Sequence, residues 1–166
     1  MDLFSYTQQW LKGELLEGKL VLTFAIITAL LGVDFWKFGS TPTAKALLIP
    51  LLVVGALYTA VGTTLLTSNP KYQTTFTAEY KENPTAFAQK EKARVEGFQY
   101  QYVISKVVAT VCFIVTLLIF WFSKNYTWQG IGIGLTFFGL VGLVVDYFSQ
   151  QRAEEYYGHI LQYLNG

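Results

Sequence analysis

The chain has 166 residues, of which 52% are apolar and only 14% charged, with a mean hydropathy of +0.36. A soluble domain carries about 25% charged residues, so this composition excludes an ordinary water-soluble protein. A net charge of +1 argues neither for nor against an anionic partner, no nucleic acid is expected, and the single cysteine, Cys112, excludes an intrachain disulfide or a CxxC redox pair.

Residues 1–17 come first. Phe4, Trp10, Leu11 and Leu15 fall near helical spacing, with Asp2, Gln8, Gln9 and Lys12 on other faces. This predicts an amphipathic helix lying at the membrane interface and turning into the first span. Asp2, Glu14 and Glu17, with no basic leader and no small-residue cleavage site, argue against a signal peptide.

Four apolar runs follow, at about 19–37, 45–67, 101–123 and 127–147. Twenty-five residues without a charge separate Lys45 from Lys71, 17 separate Lys106 from Lys124, and 21 separate Lys124 from Asp146. A span needs roughly 20 apolar residues to cross about 30 Å of hydrocarbon. The first run, Leu20 to Val33, is shorter but is extended by Phe35 and Trp36 past one acid, Asp34. The fold expected is an all-α, four-transmembrane-helix antiparallel bundle in one domain.

Basic residues are biased to one side. Lys12, Lys19, Lys71, Lys81, Lys90, Lys92, Arg94, Lys106 and Arg152 lie together, against Lys37, Lys45 and Lys124 on the other side. Such a bias places the first set, and both termini, in the cytoplasm, with the protein in a plasma (inner) membrane. Trp36, Trp121, Tyr126 and Trp128 form one expected interfacial belt, and Tyr72, Tyr100, Tyr102 and Tyr147 the other.

The connections differ. Ser40-Thr41-Pro42-Thr43 reads as a tight turn and helix start, and Lys124 to Tyr126 as another short link. The 68–100 segment is long. Ser68-Asn69-Pro70 reads as the stop of span two, and Thr74 to Thr77 has no helical pattern. Asn83-Pro84 then reads as an N-cap with proline at the first helical position, opening a helix that runs unbroken into span three. Span four likewise continues as a helix over 148–164. A two-helix cytoplasmic extension of spans three and four is therefore expected.

Candidate functional residues are few. Span four carries Gly130, Gly134, Gly139 and Gly142, a small-residue face that drives helix association in lipid, either inside the monomer or between subunits. A second small row in span two includes Gly55, Ala60 and Gly62. The acids at the membrane edge, Asp34 and Asp146, are expected to pair with Lys37 and Arg152. The densest polar group is Arg152, Glu154, Glu155 and His159 on one helix, facing Glu91, Arg94 and Glu96 on another. Glu155 and His159 are four apart and share a face, a geometry used by acid–base pairs and half-sites for metals. Solvated salt bridges between two helices account for the same pattern more simply, so no metal and no cofactor is expected. Arg152 and His159 have a spacing similar to the Arg-x4–6-His pattern of HEPN-type ribonucleases, but the soluble helical domain of that family has no counterpart here.

The lack of a midplane acid argues against active transport, and the empty catalytic inventory, the small-residue helix faces and the patterned cytoplasmic appendage make the function expected non-enzymatic. The chain would work by assembly in the lipid bilayer, as a self-associating homo-oligomer (a pore among its forms) or as an accessory subunit of another membrane protein. The rival is a membrane enzyme acting on a lipid-like substrate at the inner interface through His159, Glu155, Glu91 and Arg94.

Overall fold

The computed structural model describes residues 2–166, almost all of them in helices. They are α1 (Leu3–Phe38), the short α2 (Pro42–Ala46), α3 (Leu48–Glu82), α4 (Pro84–Phe122) and α5 (Tyr126–Asn165). Four helical segments are long and apolar enough to cross a membrane, α2 and α3 counting as one. The long helices form an antiparallel bundle in which α1 packs chiefly on α3 and α4 on α5, with α5 also touching α1, α2 and α3.

Helix α1 is a single helix of 36 residues, or about 54 Å at 1.5 Å per residue. Its first half therefore does not turn aside along an interface, as the amphipathic pattern suggests, but continues the axis of the apolar half. The cause is visible in its buried residues: Leu3, Thr7, Trp10, Glu14, Gly18, Val21, Ala25, Thr28 and Gly32. From Leu11, which is buried too, to Gly32 steps of three and four alternate. That 3.5-residue seam keeps one face on its neighbours from end to end, as in helices crossing at about +20°.

Helix α3 overturns a second expectation. It does not stop at Pro70 but runs through it to Glu82. Proline removes one ladder N–H, which costs stability in mid-helix. Burial beyond it compensates, since Phe76 is 4% exposed and packs against Phe87. The threonines that read as loop-formers are also accommodated. Thr74, Thr75 and Thr77 each donate a hydroxyl hydrogen bond to the carbonyl four residues back.

Asn83 alone links α3 to α4, and its side-chain oxygen accepts from the Ala86 amide at 2.9 Å, with Pro84 at the first helical position. That cap is the one the sequence predicts. Beyond the apolar spans, then, all four long helices project together. The extension is a closed four-helix bundle and not a two-helix stalk. Its core comprises Leu3, Trp10, Leu11, Phe76, Phe87, Ala88, Val95, Tyr156 and Ile160. These residues come from α1, α3, α4 and α5. A separate core of Val21, Ala25, Val54 and Tyr58 lies among the apolar spans.

Candidate functional site

The expected glycine face of span four is occupied within the chain. A Cβ on Gly130 would lie 2.7 Å from the Ala46 carbonyl oxygen, and one on Gly134 would lie 2.7 Å from Pro50 Cβ. Gly139 is covered by Phe113 and Ala109 of α4, and Gly142 leaves room for the Tyr58 hydroxyl. That hydroxyl donates to the Phe138 carbonyl at 2.6 Å, joining α3 to α5 across the apolar layer. The small residues of α3 are also spent internally. Gly55 and Gly62 would bring a Cβ to 2.9 Å from the Ala25 carbonyl oxygen and 3.0 Å from the Leu22 amide nitrogen of α1.

The polar cluster expected between α4 and α5 separates into three groups. The first is buried. Glu91 is 1% exposed and accepts two bonds of 2.7 Å from Arg94, one turn along the same helix. It also accepts from the Tyr156 hydroxyl of α5 at 3.0 Å, and that hydroxyl lies 3.0 Å from Thr7 Oγ1 of α1. The guanidinium carbon of Arg94 sits 4.5 Å from the centre of the Trp10 ring, with Phe76 and Phe98 at 5.3 and 5.4 Å. Burial alone lowers the pKa of Arg94, but the Glu91 bonds and charge outweigh it and raise it, so the cation is locked. Burial and the adjacent Glu91 charge raise the Tyr156 phenol well above its ordinary range.

The second group lies where the extension meets the apolar spans. Arg152 turns away from α4 and reaches α1, donating from Nη2 to Glu14 at 3.0 Å and to Glu17. Gly13 makes this possible, because a Cβ there would lie 2.7 Å from Arg152 Cδ. Asp146 consequently is not the partner of Arg152 and faces Ser105 and Lys106. Glu17, just before span one, has its carboxyl pushed up from 4.5 to about 7. Burial is the main cause, with the Glu14 charge adding and Arg152 opposing.

The third group is exposed or half-buried. Glu96 accepts from Tyr157 and lies 3.8 Å from Lys92, while Glu154 accepts from Gln150. The His159 ring stacks on Tyr6 with centroids 3.4 Å apart, and both border a small cavity with Glu155. Among the described residues there is no group of three or more acids, histidines or cysteines arranged to hold a metal. At the opposite end of the bundle Asp34 forms no salt bridge among the described residues, and Lys37 instead lies over the Phe38 ring.

Sequence reasoning missed a groove of about 670 Å³ between α1 and α5. Leu16, Leu20 and Val21 form one wall and Val141, Val144 and Val145 the other, with Glu17 and Arg152 at one end. At the other end Phe24 and Phe137 stack with centroids 5.7 Å apart. The clue was an acid on the apolar seam of α1: Glu14 occupies the register of Leu11, Gly18 and Val21. Glu14 and Glu17, three apart, call for a cation on a neighbouring helix. No family model matches the chain, and the curated proteins and solved structures compared with it give no match either.

Proposed function

We propose that this chain is a non-enzymatic integral membrane protein that acts by assembly, as an accessory subunit of a larger membrane complex, with both termini in the cytoplasm. The observation that carries this reading is the engagement of the groups a catalyst would need free. Glu91 and Arg94 bind each other in a buried, aromatic-walled site, Arg152 holds two carboxylates, and His159 lies flat on Tyr6. Between the two modes of assembly, the internal use of Gly130, Gly134, Gly139 and Gly142 favours a subunit over a glycine-seamed pore. Apolar side chains face outward on all the long helices, and on α4 they include a stripe of Val103, Val107, Val111, Ile114 and Leu118, each between 45 and 60% exposed at steps of four and three. That spacing suits a partner helix laid along it.

The orientation rests on the basic bias described above. Cysteine labelling in a Cys112→Ala background tests it: Ser40→Cys is expected to react from outside intact cells, and Lys90→Cys only after permeabilisation. Assembly is tested by native mass spectrometry in mild detergent, with photo-crosslinkers at Val111 and Leu118. A defined hetero-complex cross-linked through α4 is expected. A strictly monomeric particle with no second chain overturns the proposal.

A lipid-processing enzyme is the second reading, and the α1–α5 groove favours it in shape. The groove carries Glu17 and Arg152, however, and none of His159, Glu155, Glu91 or Arg94. It is better suited to holding a lipid than to cleaving one.

A further inference from the structure

The groove between α1 and α5 has a defined length, a charged mouth and a stacked Phe24–Phe137 pair at its far end. On α5 it runs from Arg152 to Phe137, which is about 22 Å at 1.5 Å per residue. One leaflet spans about 15 Å of hydrocarbon plus several Å of headgroup region. The Phe24–Phe137 stack therefore lies near the depth where one leaflet ends, and the Arg152–Glu17 pair lies at headgroup depth. Apart from Phe148 near the mouth, the walls between them are aliphatic, so the slot matches an acyl chain entering from the leaflet beside the extension.

The mouth is selective by charge. One guanidinium faces two carboxylates, Glu14 and Glu17, whose side chains are only 9 and 11% exposed. Fully ionised, this group is one positive charge short. An anionic headgroup would add to the deficit, whereas a headgroup bringing its own cation would relieve it. Arg152 spends Nη2 on both acids, and its Nε is buried with no partner among the described residues. Nε is closed off against Gly13, so the donor that Arg152 keeps for a phosphate is Nη1. A primary ammonium can donate hydrogen bonds to a carboxylate, and a quaternary one cannot.

We propose that this groove is a binding site for one phospholipid of the adjacent leaflet bearing a primary ammonium headgroup, with its phosphate at Arg152, its ammonium at Glu17 and an acyl chain reaching the Phe24–Phe137 pair. Burial is the main reason that Glu17 holds a proton more tightly than usual, and the neighbouring Glu14 charge adds to it in keeping with the same deficit. This inference goes beyond the assembly reading and needs only that the chain is membrane-inserted; it holds for a lone subunit or a complex.

The test is lipid binding to the purified full chain by native mass spectrometry. Dioleoyl phosphatidylethanolamine, phosphatidylcholine and phosphatidylglycerol are added separately at matched concentrations. One phosphatidylethanolamine per chain is expected, bound roughly tenfold more tightly than the other two, as one charge-assisted hydrogen bond implies. Glu17→Gln should bring the three lipids to similar affinity. Gly13→Ala, which drives a methyl into Arg152, should weaken phosphatidylethanolamine most. Equal binding of phosphatidylcholine, preferred binding of phosphatidylglycerol, or no retained lipid would each overturn the proposal. The headgroup series on the unaltered protein decides the matter even where a variant fails to fold. A monomeric particle that binds phosphatidylethanolamine would refute the assembly reading and leave this one standing.

Discussion

Replacing Glu91 by alanine tests the buried network most directly. Glu91 is 1% exposed and accepts both Arg94 bonds and the Tyr156 bond, so its loss strands a guanidinium among Trp10, Phe76 and Phe98. Breaking a buried ion pair by removing one partner costs about 3–5 kcal/mol. The Arg94 side chain is 26% exposed and stays on its aromatic rings, which places the cost near the lower end, about 3 kcal/mol. For a chain of this size each kcal/mol shifts the midpoint by roughly 2–4 °C, so a fall of about 6–12 °C is expected. Thermal unfolding in mild detergent, followed by tryptophan fluorescence, measures it, with Trp10 reporting from beside Arg94. The paired variant Glu91→Leu/Arg94→Met removes both charges and should recover to within about 1 kcal/mol of the parent. A single variant that loses less than about 2 °C would show that the pair is not desolvated. A double variant as unstable as the single one would refute the stranded-charge reasoning.

Gly55→Leu should open the α1–α3 seam, since even a Cβ there lies 2.9 Å from a backbone oxygen; overpacking of about 1–3 kcal/mol is expected as a lower melting temperature. Gly97→Ala is its control: nothing lies within 4 Å, and removing a mid-helix glycine should raise stability by roughly 0.5–1 kcal/mol. Glu17 makes stability depend on pH. Between its unfolded value of 4.5 and its folded value of about 7 the native chain binds the extra proton, so stability should fall as pH rises through that window. Glu14, Arg152 and Asp146 are the charges that act on it. Melting curves from pH 4.5 to 7.5 should show this slope in the parent and a flatter one in Glu17→Gln, and identical slopes would count against the assignment.

Much of the architecture is already written along the chain, because membrane spans and helix caps are local. Charge-free runs of the right length mark the apolar segments, and Asn83-Pro84 marks a helix start through an oxygen that reaches the Ala86 amide three residues on. What failed was also local in kind. Pro70 and the threonines after it carry the signs of a loop, and only burial of Phe76 against Phe87 carries the helix past them. The amphipathic pattern of 1–17 suits an interface equally well as a bundle. The choice was made by the other three helices, which supply Phe76, Phe87 and Tyr156 to cover Leu3, Trp10 and Leu11.

The candidate site shows the same division. Composition and spacing determine that the apolar layer is nearly empty of charge, that the glycines lie on one helix face, and that the ionisable residues gather at one end. Which charge meets which is a property of the tertiary structure. Arg152 could have paired with Asp146 on its own helix; it meets Glu14 and Glu17, 138 and 135 residues earlier, because Gly13 lets it lie against α1. The groove beneath that pair belongs to no single segment. It is walled by α1 on one side and α5 on the other with a stacked pair of phenylalanines at its end, and an arrangement between helices so distant in sequence leaves no periodicity in either one.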